Sequence, residues 1–289
     1  MKLFITGSLG QVGRALMQDA AQRGYDCVGF DLPELDVTDA GALAEALGRE
    51  RPDWVFHCAA ATKVDSCESE VEWARTLNGE APGYVANACK SVGAGLVHFS
   101  TDFIFDGAKG SHYVEDDLPR PLSVYGSSKL LGEERVATAG LERWYILRTQ
   151  WVYGPIGRNF PAAILARAES GQPLKVVDDQ IGQPTYAPHL AAMGLDLIAT
   201  EAPSGIYHSA NVGEMSWHDF ACSVLQSSGY GEIEVARCSS EELAQAAARP
   251  KYSVLDTSKL SAALGQELPS VQDGLRDFFA AKAAADTGE

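Results

Sequence analysis

Positive charge is scarce in this 289-residue chain: 23 lysines and arginines face 39 aspartates and glutamates, for a formal net charge of −16. Nucleic acids and anionic membranes require a basic surface, so both partner classes are excluded. An anionic small molecule is admissible only through a local basic pocket set against the overall field. Apolar runs of membrane-spanning length are missing too. The first residues, Met1 to Gly7, run straight into a strand and a tight turn, without the apolar stretch and small-residue cleavage site of a secretory signal. Cys27, Cys58, Cys67, Cys89, Cys222 and Cys238 are scattered, with no C-x-x-C pair. They read as reduced thiols of a cytoplasmic protein. There is no internal repeat.

What is present is an ordinary globular composition, 46% apolar and 21% charged, long enough for one large domain or two small ones. The first half alternates strands and helices. Strands are predicted at 2–6, 26–31, 54–58, 96–100 and 145–149, and helices at about 11–23, 40–51, 72–92 and 125–136. That order implies an α/β fold, a doubly wound parallel sheet of Rossmann type with helices on both faces. After residue 154 the regularity loosens between prolines 155, 161, 173, 184 and 188. Helices are expected around 160–170, 190–200, 217–228 and 270–284, with short strands at 174–177 and 206–208. The expected organisation is a dinucleotide-binding domain over 1–154, to which a segment at about 185–210 returns, and a smaller mixed α/β substrate-binding lobe made mainly from 155–289. The alanine-rich end, 280–289, reads as a fraying helix and tail.

Three stretches carry chemistry. Gly7, Gly10 and Gly13 follow the first strand at the spacing G-x-x-G-x-x-G. Glycines there permit a tight turn and let backbone N–H groups approach a pyrophosphate at a helix N-terminus. Gln11 and Val12 belong to the same loop. Asp31 ends the second strand about 20 residues later, where a carboxylate holds ribose hydroxyls and repels a 2′-phosphate. This leans toward NAD over NADP, although Arg14 could offset it. Asp36 could approach the adenine, while an N-cap role for Thr38 or Asp39 explains part of that stretch. Ala59, Ala60, Ala61 and Thr62 follow the third strand, and their small side chains suit either a close dinucleotide or plain helix–sheet packing.

Tyr125 and Lys129 sit four apart on one helix face. A phenol of ordinary pKa about 10 needs its anion stabilised if it is to give a proton to a carbonyl near neutral pH, and a neighbouring ammonium does that. Thr101, at the end of the fourth strand, can donate to the same carbonyl oxygen. A tyrosine and lysine on an unrelated helix surface would show the same spacing. The glycine loop, the hydroxyl at a strand end and the Tyr/Lys helix, in that order, are what point to nicotinamide-dependent carbonyl chemistry. No metal site is assigned.

These stretches resemble the extended short-chain dehydrogenase/reductase superfamily and, within it, the dTDP-4-dehydrorhamnose reductase family. The segments 10–13, 35–39, 100–107, 125–133, 147–154, 179–185 and 249–253 carry the likeness across most of the chain. The resemblance implies reduction of a 4-keto nucleotide sugar by NADPH or NADH, dTDP-4-dehydro-L-rhamnose foremost. It makes Thr101, Tyr125 and Lys129 catalytic and places Gly10, Gln11, Val12, Asp31, Asp36, Val37 and Ala59 to Thr62 against cofactor. Ile104, Phe105 and Trp151 would border the sugar nucleotide, and Asn159, Gln180 and Arg249 join them as substrate candidates. Arg249 is the choice for the diphosphate from a basic set with Arg148, Arg158, Lys175 and Lys251. The family also leaves room for a homodimer. Phe103, Ala61 and Gln150 depart from its usual residues, which bears on the sugar more than on the reaction. Competing readings are an epimerase or dehydratase of the same superfamily, and a non-catalytic subunit like that of methionine adenosyltransferase. Phe103 stands where 4,6-dehydratases place an acid, and the intact Thr101/Tyr125/Lys129 set speaks against the subunit.

Overall fold

Six apolar segments, rich in aromatic and branched side chains, pair side by side in the computed structural model, which describes residues 1–200 and 202–287. They are β1 (Lys2–Thr6), β2 (Asp26–Phe30), β3 (Trp54–His57), β4 (Gly95–Thr101), β5 (Trp144–Thr149) and a sixth strand, Gly205–His208. All pairings are parallel, and the spatial order is Gly205–His208, β5, β4, β3, β1, β2. Successive side chains point to opposite faces, and both faces are apolar. Leu3, Ile5, Phe56, Val97 and Leu147 pack toward α1 (Gln11–Gln22) and the helix Ala187–Ile198. Phe4, Val55, Leu96 and Ile146 pack the other way, toward α2 (Ala40–Glu50) and the later helix Ala81–Val92. A parallel sheet has to be covered on both sides in this manner, because its crossover helices lie on both.

The chain runs from β1 outward to β2, then returns past β1 to lay down β3 on the far side. That reversal opens a crevice at the carboxyl ends of β1 and β3, where doubly wound sheets hold their ligands.

The single helix expected over 72–92 is broken. Two short helices, α3 (Val64–Ser69) and α4 (Val71–Ala74), lead into a π-helical turn, Arg75–Glu80, before α5 (Ala81–Val92). Pro82 lacks the N–H that would bond back one turn, and the wider turn before it absorbs the mismatch. α6 (Val124–Thr138) starts on Ser123, whose hydroxyl accepts from the Gly126 N–H at 3.1 Å.

A separate core gathers Tyr153, Ile164, Leu165, Phe220, Val224, Leu275 and Phe278. It is built by the helices Phe160–Glu169, Trp217–Ser227 and Val271–Thr287 around a parallel pair, Leu174–Val177 with Val235–Cys238. Val235–Cys238 and the helix Ser258–Leu264 were not expected. The last helix runs further than 284, and residues 288–289 of the expected tail lie outside the described residues. All six cysteines are free thiols. Among the described residues no helix is long and apolar enough to cross a membrane.

Candidate active site

One cavity of about 1040 Å³ runs from the crevice at β1 and β3 across the carboxyl end of β4 and β5 to the second core. Gly7, Gly10, Gln11, Val12 and Gly13 form one end. The three glycines are there for different reasons. Gly7 has φ +65°, and a Cβ on it would sit 2.6 Å from the Ala59 nitrogen. On Gly13 a Cβ would sit 2.2 Å from the Gly7 carbonyl oxygen. Both are dictated by the chain's own backbone. A Cβ on Gly10 meets only the Gly7 oxygen, at 3.2 Å, and otherwise open space; its bareness keeps the cavity clear. α1 begins immediately after it, with no side-chain cap and no acidic residue in its first turn. Its N–H groups and the positive end of its dipole therefore have no competing anion, which fits a pyrophosphate.

Asp31 lies on the wall and accepts from the N–H groups of Leu9 at 3.1 Å and Leu32 at 2.9 Å. It thereby ties β2 to the glycine loop at that end of the cavity. Asp36 and Val37 line the same end, with Asp36 accepting from Thr38. Asp39 caps α2 through Gly41 and Ala42, the N-cap alternative raised for this stretch.

Ala59, Ala60 and Thr62 line the cavity, but Ala61 does not. Its N–H donates to Asn78 Oδ1 at 2.8 Å and its carbonyl accepts from Asn78 Nδ2 at 3.1 Å, in a pocket with Cys67 and Ala74. Asn78 projects from the π-helical turn and also donates to Ser128 Oγ, so the irregular turn pins the loop after β3 to α6. Nothing in the local sequence signalled Asn78, since its role depends on a helix irregularity.

The catalytic candidates converge. Thr101 ends β4, and Tyr125 and Lys129 face it from α6. Gly126 makes that approach feasible: a Cβ on it would lie 2.2 Å from the Phe103 carbonyl oxygen. The Tyr125 phenol and the Thr101 hydroxyl line the same cavity, and the Tyr125 ring meets Phe103 edge-on at 5.5 Å. Burial pushes the phenol well above its ordinary pKa, against the opposing effect of Thr101. The expectation that Lys129 lowers it is not met in this geometry. The Lys129 ammonium turns to the β4 backbone and donates to the Phe99 carbonyl at 2.5 Å. Burial brings Lys129 down to about 8, against the pull of Glu133. Beneath it His57 and His98 stack at 5.4 Å and are held neutral, by burial first and by the lysine second.

Ile104 and Phe105 are fully buried in a small core with Tyr113 and Leu255 and do not reach the cavity. The short 3₁₀ turn after β4 rotates them inward. Asn159 is also off the wall, because it caps the helix at Phe160 through the Ala162 N–H and donates to the Gly154 carbonyl. Trp151 and Gln180 do line it. Trp151 adopts φ +48°, a strained value for a bulky residue, and stacks on Trp217 with ring centres 3.7 Å apart. Trp217, Phe160, Gln150 and Ser253 are wall residues the sequence reading did not assign. Ser253 lies within the 249–253 segment, but without its partner nothing in the sequence marked it.

Among the basic candidates, Arg148 is excluded from ligand contact. It is buried against Glu133 in a bidentate pair, with its third nitrogen on the Glu115 carbonyl. Lys251 is off the wall, and Lys175 is on it but bonded to Glu242. Arg249 is on the wall with both terminal nitrogens committed to Asp65, so it is not the free cation expected for a diphosphate. Arg158 and Arg167 line the cavity and make no ion pair among the described residues.

The family model for the RmlD substrate binding domain matches residues 1–284. The chain belongs to this family. It is 40% identical over 282 residues to a dTDP-4-dehydrorhamnose reductase of Streptomyces griseus, covering 96% of this chain and 93% of that protein. The spore coat polysaccharide biosynthesis protein SpsK of Bacillus subtilis is 37% identical, with 98% and 99% covered. A crystal structure of dTDP-4-dehydrorhamnose reductase from Bacillus anthracis in complex with NADP superposes with a TM-score of 0.92 at 37% identity, covering 96% of this chain and 98% of that one. A UDP-glucose 4-epimerase of Thermus thermophilus, at 22% identity and a TM-score of 0.79, shares the fold.

Proposed function

We propose that this chain reduces the C4 ketone of a dTDP-linked deoxy sugar, as its relatives' names state for them, with NADPH or NADH as reductant. One observation carries the reading. A single cavity is lined by an uncapped helix N-terminus behind Gly10, by Thr101, Tyr125 and Lys129, and by Arg167, which makes no ion pair among the described residues and rides on a helix of the second core. A dinucleotide and a sugar nucleotide would then meet where the phenol is.

Gly10 and the first turn of α1 would hold the pyrophosphate, Asp31 the adenosine ribose, and Lys129 the nicotinamide ribose. A bound reduced nicotinamide would supply the hydride. Tyr125 gives its proton to the carbonyl oxygen as that oxygen gains charge, and Thr101 donates a hydrogen bond to the same atom. The raised pKa of Tyr125 keeps it protonated and ready as an acid. Arg167 replaces Arg249 as the diphosphate ligand, since it has no carboxylate to surrender first; Arg158, whose carbonyl accepts from Gln11 Nε2 at 3.2 Å, stands beside the glycine loop instead. The Trp151–Trp217 pair offers a flat apolar wall to the sugar or the base. The lobe around the second core thus acts as the substrate-binding part.

The test is turnover. Purified protein, dTDP-4-dehydro-L-rhamnose and each reduced cofactor should give stoichiometric cofactor oxidation, and Lys129→Met should weaken both cofactor binding and rate. Absence of cofactor oxidation with either reductant would overturn the reading.

A further inference from the structure

Asp102 is buried beside the catalytic threonine and has no cation. None of the ion pairs among the described residues involves it. Its Oδ1 lies 3.0 Å from Thr101 Oγ1, and its Oδ2 accepts from Ser253 Oγ at 2.6 Å. Ser253 is brought in from a segment 151 positions along the chain and is itself fixed, its carbonyl accepting from Gln150 Nε2 at 3.1 Å. Gln150 Nε2 also donates to Gln183 Oε1 at 2.8 Å. The site therefore specifies the position of this carboxyl group with care while giving it no counter-charge.

The hydrogen-bond inventory of Thr101 decides what that group does. A threonine hydroxyl has one hydrogen and two lone pairs. The Phe103 N–H takes one lone pair at 3.2 Å. Were Asp102 ionised, it could only accept, and the hydroxyl hydrogen would be held by Oδ1. Thr101 would then have nothing to offer a carbonyl oxygen. As a neutral acid Asp102 donates instead, fills the second lone pair and releases the Thr101 hydrogen outward. Thr101 then presents a donor to the cavity, whose wall Tyr125 shares.

We infer that Asp102 works as a protonated carboxylic acid and, with Ser253, is a positioning residue that orients the Thr101 hydroxyl toward the substrate carbonyl. The inference rests on the reading of Thr101 and Tyr125 as carbonyl donors. Burial pushes the Asp102 carboxyl up to about 7, against its bonds to Ser253 and Thr101. The titratable groups facing it are the Tyr125 phenol on α6, which interacts with it directly, and Lys129 one turn on, whose ammonium is engaged by Phe99. From the end of β5 and the Ser253 segment come only Gln150 and Ser253, which do not titrate.

The discriminating variant is Asp102→Asn. An amide can donate to Thr101 and accept from Ser253, copying the neutral acid and never the carboxylate. Asp102→Asn should keep kcat within about fivefold of the parent, and Asp102→Ala should lose about 100-fold, the lower scale of a misplaced catalytic group. In the parent kcat/KM should fall as pH rises through about 7, and this limb should vanish in Asp102→Asn. A second readout needs no turnover. A folded-state pKa above the unfolded value means the folded chain holds the extra proton, so stability declines as pH rises from about 4 to about 7. Denaturant midpoints of the parent minus those of Asp102→Asn should show that slope. A parent that turns over while Asp102→Asn falls about 100-fold, or equal pH slopes of stability in both, would overturn the inference. A parent that reduces no 4-keto sugar, with the slope difference present, would fault the functional reading instead.

Discussion

Replacing Gly126 by alanine tests whether the active site is set by the closeness of α6 to β4. The new Cβ would stand 2.2 Å from the Phe103 carbonyl oxygen, 3.0 Å from the Phe103 carbonyl carbon and 3.0 Å from Pro121 Cβ. Ordinary contact begins at 3.4 Å, so the oxygen contact alone asks for a shift of about 1 Å. The obstructing oxygen is backbone, and Gly126 itself is buried, so no flexible side chain can yield. Overpacking of this kind costs about 1–3 kcal/mol. Tyr125 and Lys129 ride on the helix that must move, and Thr101 belongs to the strand it must leave. A displacement of about 1 Å at such a site costs on the order of 100-fold in rate. Denaturant unfolding should therefore show Gly126→Ala destabilised by about 1–3 kcal/mol. Steady-state kinetics should show kcat down about 100-fold with cofactor affinity much less affected, because the glycine loop is untouched. Gly48→Ala is the matched control: it lies in α2 with nothing within 4 Å of the new Cβ, and should stabilise by about 0.8–1 kcal/mol through helix propensity alone. Unchanged kcat in Gly126→Ala would refute the claim that this glycine sets the distance between phenol and threonine.

Tyr125→Phe should leave fold and cofactor binding intact and lower turnover by about two to four orders of magnitude, and near-normal turnover would remove the phenol from the mechanism. Asp31→Ala should weaken NADH far more than NADPH in a fluorescence titration of each cofactor, whereas equal losses would mean that Asp31 serves only its bonds to Leu9 and Leu32. Arg167→Ala should raise the Michaelis constant for the sugar nucleotide severalfold without changing cofactor affinity. Arg249→Ala should instead show its effect chiefly in stability, through the loss of Asp65's partner; a Michaelis constant that moves only in Arg249→Ala would restore that residue to the diphosphate.

The parallel sheet was legible because its strands are short apolar runs at regular intervals, separated by glycines and amphipathic helices. The glycine loop and the pair Tyr125/Lys129 were legible because their geometry is local, one turn of chain each. What escaped was what depends on packing between distant segments. Ile104 and Phe105 looked like site residues because they adjoin Thr101, yet a 3₁₀ turn sends both into a core with Leu255. Ala61 looked accessible within a run of small residues, yet its backbone is claimed by Asn78. Arg148 and Arg249 looked like free cations in a strongly acidic chain, and that acidity is the reason they are paired. Ser253 and Trp217 gave no sign, because each acquires its meaning from a partner about 70 to 150 positions away.

The most direct measurement follows the hydride. The protein is incubated with dTDP-4-dehydro-L-rhamnose and a cofactor carrying deuterium at the transferable position, and the sugar is examined by NMR. The expected product is dTDP-L-rhamnose with deuterium on C4 and one equivalent of cofactor oxidised per sugar formed. A product altered in configuration with no net cofactor oxidation, or deuterium at any carbon other than C4, would contradict the assignment of this cavity as a 4-keto-sugar reductase site.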